Sequence, residues 1–245
     1  MPLNPFEAIV IGSGATGGVA AMTLAEAGLR VLVVEAGPDR SPAEALGGEP
    51  GNSVKRAEGL LSGRHRRQAW HPGYWKQNPD LYADERQYPY STPDDQPFLW
   101  TQGRQVGGRS LTWGGITLRL SDYEFKGADQ DGYGHNWPIN HADLDPHYSA
   151  LEQLFEVRGG RDGLAHLPDG RVASALPFMP EEERFRERLT QERGIPFIHS
   201  RGFEAHQRSG SSRWPRSSSN GSSLQRAMAT GRVDILSNSM AERLE

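Results

Sequence analysis

Apolar positions fall into three short continuous runs and two helical stripes. Glu7-Ala-Ile-Val-Ile11 is mostly apolar and ends at a glycine, as a buried parallel strand does. Thr16 to Ala27 is rich in Ala, Gly and Leu and stops at Gly28, which predicts a helix. Arg30-Val-Leu-Val-Val-Glu35 is a second β-branched run. Strand, glycine turn, helix and strand in about 30 residues make one βαβ unit. Further on, Leu144, Tyr148, Leu151, Leu154 and Phe155 share one helix face. Pro146 is then expected in the first turn, with Asp143 or Asp145 as the cap. Glu181 to Glu192 predicts a more polar helix with Phe185 and Leu189 turned inward. Leu224 to Ala229 predicts a short helix, and Val233-Asp-Ile-Leu236 a strand after Gly231.

Two stretches break the pattern. Residues 37–97 hold many Pro, Gly and charged residues without clear periodicity, which points to a lid, an insertion or a subunit contact. Their basic run Arg64-His-Arg-Arg67 reads as a solvated face. Residues 209–223 contain eight serines and read as a flexible loop or linker.

Composition narrows the class. The 245 residues carry 31 acidic and 27 basic side chains, a formal charge of −4, which argues against a general nucleic-acid binder. No apolar run approaches the roughly 20 residues that span a bilayer. Met1-Pro-Leu-Asn-Pro-Phe6 has no basic region followed by an apolar stretch, so the cytoplasm is the default expectation. Cysteine is absent, which removes disulfides, thiolate catalysis and thiolate metal sites. The eight histidines lack HExxH spacing, and a structural role is favoured over metal for each.

Gly12-Ser-Gly-Ala-Thr-Gly17 matches GxGxxG. It follows a strand, opens a helix, and has Glu35 at the end of the next strand, the context that makes the pattern a dinucleotide site. Gly12 permits the tight turn, Gly14 lets backbone approach a pyrophosphate, and Gly17 lets helix and strand pack closely. Thr16 lies in the helix's first turn, whose free N–H groups and positive dipole end face the phosphates. Glu35 can accept from ribose hydroxyls, and its charge disfavours a 2′-phosphate. FAD and NAD both use this arrangement. The early motif and the sequence Ala36-Gly37-Pro38 after Glu35 lean to FAD.

A second glycine-rich stretch, Gly103-Arg-Gln-Val-Gly-Gly-Arg-Ser-Leu-Thr-Trp-Gly-Gly115, can lie flat against a planar ligand. Arg104 or Arg109 can neutralise phosphate charge, and Ser110 can hydrogen-bond. The two regions together resemble the glucose–methanol–choline (GMC) family of flavin oxidoreductases, nearest its bacterial sugar and polyol dehydrogenase branch. Gly134-His-Asn-Trp-Pro-Ile139 and the segment Ala142 to Tyr148 resemble that family's tryptophan–proline segment and following helix. The resemblance covers 1–37 and 98–158 and returns near 224–245.

That resemblance implies a three-layer α/β, Rossmann-like FAD domain with an incomplete second, substrate region. It divides residues 1–245 into a βαβ ADP-binding unit (1–37), a second flavin motif (98–120), a partial cap (121–223) and a return to the FAD domain (224–245). It implies noncovalent FAD, because Thr112 stands where some relatives link flavin through a histidine. The cofactor-binding residues it implies are Gly12, Gly14, Thr16, Gly17, Glu35, Arg104, Gly107, Gly108, Ser110 and Gly114, with Ala241 touching adenine. The implied activity is oxidation of CH–OH groups of alcohols or sugars, with hydride passing to flavin and a histidine as base. The family's catalytic histidine lies in a C-terminal half outside these residues, so no catalytic residue is expected among them. A partner subunit or that missing half would complete the enzyme, and some relatives are exported to the periplasm with a partner. The alternatives are a non-catalytic FAD-binding fragment and an NAD-dependent dehydrogenase sharing only the first βαβ unit.

Overall fold

The structure is a computed structural model that describes residues 5–203 and 213–244. In chain order the elements are β1 (Ala8–Ile11), α1 (Ala15–Glu26), β2 (Val31–Val34), α2 (Pro42–Leu46), α3 (Glu49–Leu61), α4 (Asp122–Phe125), α5 (Gly127–Asp131) and α6 (His141–Phe155). They continue with β3 (Arg158–Gly159), β4 (Ala173–Ser174), α7 (Pro180–Arg193), α8 (Ser223–Ala229) and β5 (Val233–Leu236). The chain divides into two compact units, Met1–Gly114 with His206–Glu245, and Gly115–Ala205.

The first unit is built on a parallel sheet of order β1-β2-β5. Its register aligns Val10 with Val33 and Ile235, and Ile11 with Val34 and Leu236. Because side chains alternate along a strand, each row belongs to one face. Val10, Val31, Val33 and Val233 are buried on the face that carries α1. The other face holds Ile9, Ile11 and Leu236, which are 65%, 52% and 49% exposed. Parallel sheets are ordinarily covered on both faces. The described residues therefore form an α/β, Rossmann-like domain in part, with one helical layer on the sheet.

Residues 37–97 are more ordered than their composition predicts. Ser41 caps α2 in a reciprocal box with Glu44, and three single-turn 3-10 helices follow α3. Ala45, Tyr74, Leu81 and Tyr82 form a small core of their own, with Leu111 and Trp214 against it. His65 is 2% exposed and bonds the Tyr74 hydroxyl at 3.2 Å, so the basic run is a solvated face only at Arg66 and Arg67. Burial, helped by the neighbouring Arg64, holds the His65 imidazole below its usual range and keeps it neutral. Burial pushes the Tyr74 phenol up to about 12.

The serine-rich segment is also corrected. Residues 209–212 lie outside the described residues. Residues 213–223 include a 3-10 turn, Ser219–Gly221, with Ser218, Ser219 and Asn220 buried. Gly18 of α1 packs against the hydroxyls of Ser219 and Ser223 so closely that a Cβ there would overlap both. Composition alone misses this because the stabilising contacts are hydrogen bonds, some within the turn and others to the distant Ser110 and Val106, not an apolar stripe.

In the second unit, Asn140 caps α6 and shares a reciprocal box with Asp143, so the helix begins earlier than its apolar stripe does. Pro146 consequently lies inside the helix and not in its first turn. On α7, Phe185 is exposed and not turned inward, although its ring meets Phe197 edge-on. Two buried arginines organise this unit. Arg119 makes paired bonds of 2.7 Å to Glu152, and Arg201 bonds Asp162 and Asp169.

Candidate cofactor site

The site is assembled where β1 turns into α1. Gly12 takes φ +91°, a conformation that favours glycine, and carries the chain from strand to helix. A Cβ on Gly17 would overlap the Gly12 carbonyl oxygen and touch Val10, so this helix can start here only if residue 17 is glycine. The helix has Gly14 at its N-cap, no side-chain cap and no acidic residue in its first turn. Its leading N–H groups thus lack helical partners and present a positive dipole end to the cleft beside them.

That cleft has a volume of ≈ 400 Å³ and is lined from two segments, residues 11, 12 and 14–17 of the first and Arg109, Ser110 and Trp113 of the second. The second glycine motif reaches it by close backbone contact. Gly108 approaches Gly14 so that a Cβ would stand 3.3 Å from the Gly14 Cα. Gly107 takes φ +95°, and a Cβ there would overlap the Asn220 amide oxygen.

Buried hydroxyls stitch the segments together. Ser13 is fully buried, and its hydroxyl donates to Glu35 at 2.6 Å while accepting from the Gly107 N–H at 2.9 Å. Ser110 donates to the Gly107 carbonyl at 2.6 Å and accepts from the Ser219 N–H at 2.8 Å. Glu35 also accepts from the Ser13 and Gly37 N–H groups, so its carboxylate is held by three donors. A carboxylate offers about four acceptor positions, which leaves one for a ligand hydroxyl.

Of the residues predicted from sequence, Gly12, Gly14, Thr16, Gly17 and Ser110 line the cleft. Glu35, Gly107 and Gly108 lie behind its wall as supports. Gly114 is exposed with open space around it, and Ala241 is exposed on the segment after β5. Of the two candidate arginines, Arg109 lines this cleft and Arg104 lines a separate cavity. Thr112 is buried and bonds back to the Arg109 carbonyl. Sequence reasoning missed Ser13, Trp113, Ser219 and Asn220. The first two sit inside the motifs and were open to notice, whereas nothing local marks the last two. Among the described residues no group of three His, Asp or Glu could hold a metal, and no helix is long and apolar enough to cross a membrane.

Residues 7–76 match the FAD binding domain family. Over those residues the chain is similar to FAD-binding domains. Its match extends through residues 38–76, beyond the part the two glycine motifs identify. The chain is 30% identical over 161 residues to paromamine 6′-oxidase of Streptomyces fradiae, covering 64% of this chain and 24% of that one. It is 24% identical over 155 residues to 2-methyl-1,2-propanediol dehydrogenase of Mycolicibacterium austroafricanum, covering 62% of this chain and 25% of that one. Among solved structures it is similar to pyridoxine 4-oxidase from Mesorbium loti, at 18% identity and TM-score 0.49, over 96% of this chain and 42% of that one. It is also similar to formate oxidase of Aspergillus oryzae, at 17% identity and TM-score 0.47, over 95% and 38%. The matched stretch spans about a quarter of the curated relatives.

The cleft suits the phosphate portion of FAD. It offers unpaired N–H groups, a cationic Arg109 at its edge, and glycine backbone where a side chain would obstruct approach.

Proposed function

We propose that this chain is the FAD-binding part of an oxidoreductase that acts on CH–OH groups of alcohols or sugars. One observation carries the reading: two glycine motifs about ninety residues apart meet at the open N-terminus of α1, joined by Ser13 between Glu35 and Gly107. An NAD site needs the first motif alone, so the second favours FAD. The names of the relatives, an oxidase acting on paromamine and a propanediol dehydrogenase, support the CH–OH class.

Gly12, Gly14, Thr16 and Gly17 hold the pyrophosphate with backbone N–H groups. Glu35 accepts from the adenosine ribose, held in place by Ser13. Gly107, Gly108 and Gly114 carry backbone alongside the ligand, Ser110 fixes that turn, Arg109 in place of Arg104 faces the phosphates, and Ala241 lies toward the adenosine end. Bound FAD supplies a hydride acceptor. The matched stretch spans about a quarter of the curated relatives, and the residues named here bind and position the cofactor. Thr112 cannot form the histidyl linkage, and FAD is held noncovalently.

The test is the visible spectrum of the purified chain before and after acid precipitation. Flavin bands released into the supernatant are expected. Colour retained in the pellet overturns the noncovalent reading, and a folded chain that takes up no added FAD overturns the cofactor reading.

A further inference from the structure

A second cavity, ≈ 230 Å³ in volume, lies in the same unit beyond Glu35 and Gly37. Its lining is polar and includes Arg40, Arg64 and Arg104. Among the described residues none of these three guanidinium groups has a carboxylate partner. The Nε atoms of Arg40 and Arg104 are buried with no hydrogen-bond partner. Arg104 stacks on the Tyr88 ring at 3.6 Å, and its one side-chain bond runs to the Met240 sulfur, a weak acceptor. A buried donor without a partner costs free energy that a ligand's acceptors would recover.

The other charged groups facing the cavity are Asp80 and Asp84. Asp80 is already paired with Lys55 at 2.8 Å, and Asp84 accepts from the Arg86 N–H. His65 is neutral for the reason given above and adds no charge. Three arginines against two aspartates leave a balance of +1 on the lining, and Lys55 outside it pairs with Asp80. Several unpaired guanidinium forks around a small polar space fit a doubly charged, multi-oxygen group better than a single carboxylate.

We propose that this cavity is a binding site for a phosphate dianion, distinct from the cleft at α1. The ligand is either free inorganic phosphate or the phosphate of a monoester, and the chemistry of recognition is the same for both. Arg40 and Arg64 hold it from one side, Arg104 is braced against Tyr88 on the other, and Asn238 contributes an amide at the rim.

The experiment is calorimetric titration of the purified 245-residue chain with inorganic phosphate and, separately, with phenyl phosphate, each with and without FAD. Saturable binding unchanged by FAD is expected, with at least tenfold weaker binding in the Arg40→Gln and Arg64→Gln variants and unchanged melting without phosphate. Equal affinity for the two probes assigns the site to the free ion, and tighter ester binding assigns it to an organic phosphate. Arginine-selective labelling of the unmutated chain gives a second readout, in which phosphate should protect Arg40 and Arg64. Absence of saturable binding, binding that FAD displaces, or labelling unaffected by phosphate each overturns the proposal. Flavin absorbance reports FAD uptake independently, so failure of the cofactor reading is distinguishable from failure of this one.

Discussion

The Gly12–Gly17 turn and the Ser218–Ser223 turn both converge on the second glycine motif, yet they are made of opposite chemistry. The first omits side chains. Its glycines permit φ +91° at Gly12 and the contact of Gly17 with the Gly12 carbonyl, and they leave backbone N–H groups bare at the cleft. The second supplies side chains. Ser218 donates to the Pro215 carbonyl and accepts from the Gly221 N–H, and the Ser219 N–H reaches Ser110 across 109 positions of sequence. The difference follows from what each turn faces. Backbone must be naked where a large anionic ligand approaches. Where two protein segments meet without water, each buried N–H needs an acceptor, and a short hydroxyl provides one in little volume.

The largest test of this contrast is Gly17→Ala. The added Cβ has rigid backbone on one side and Val10 on the other, so a loss of about 3 kcal/mol or more in chemical denaturation is expected, with FAD uptake abolished. A mild effect would mean that the turn relaxes and glycine is not required there. Ser110→Ala comes next, at about 1–3 kcal/mol, because it strands the buried Ser219 N–H and frees the Gly107 carbonyl. Unchanged stability in that variant would show that the serine turn is not tied to the glycine motif.

Ser13→Ala should be smaller in stability, about 1 kcal/mol, but selective in binding. It removes one of the three donors that hold Glu35, so affinity for FAD should fall while affinity for FMN, which lacks the adenosine ribose, should not. Equal losses for both flavins would contradict the positioning role. Gly114→Ala is the control. It has open space and no left-handed φ, so a change within about 0.5 kcal/mol is expected by the same denaturation measurement.

Much of the first unit was legible from local pattern. The βαβ unit, the helix stop at Gly28 and the last helix and strand are all present close to their expected positions, since each depends on near neighbours in sequence. The start of α6 was not, because an asparagine cap outranks the apolar stripe. Residues 37–97 were unreadable for a related reason. Their core joins Ala45, Tyr74, Leu81 and Tyr82, which are spaced too irregularly to register as a period.

The sequence by itself determined that a strand ends in a glycine turn opening a helix, and that an acidic residue closes the next strand. Those are steric and electrostatic demands on consecutive residues. Only the tertiary structure decided that Ser13 lies between Glu35 and Gly107, that Arg109 and not Arg104 faces the cleft, and that a run of serines is buried against α1. A hydroxyl or a guanidinium can satisfy many partners equally well. Which one it meets depends on which segments the fold brings within hydrogen-bonding distance, and that is a property of packing between residues far apart in the chain.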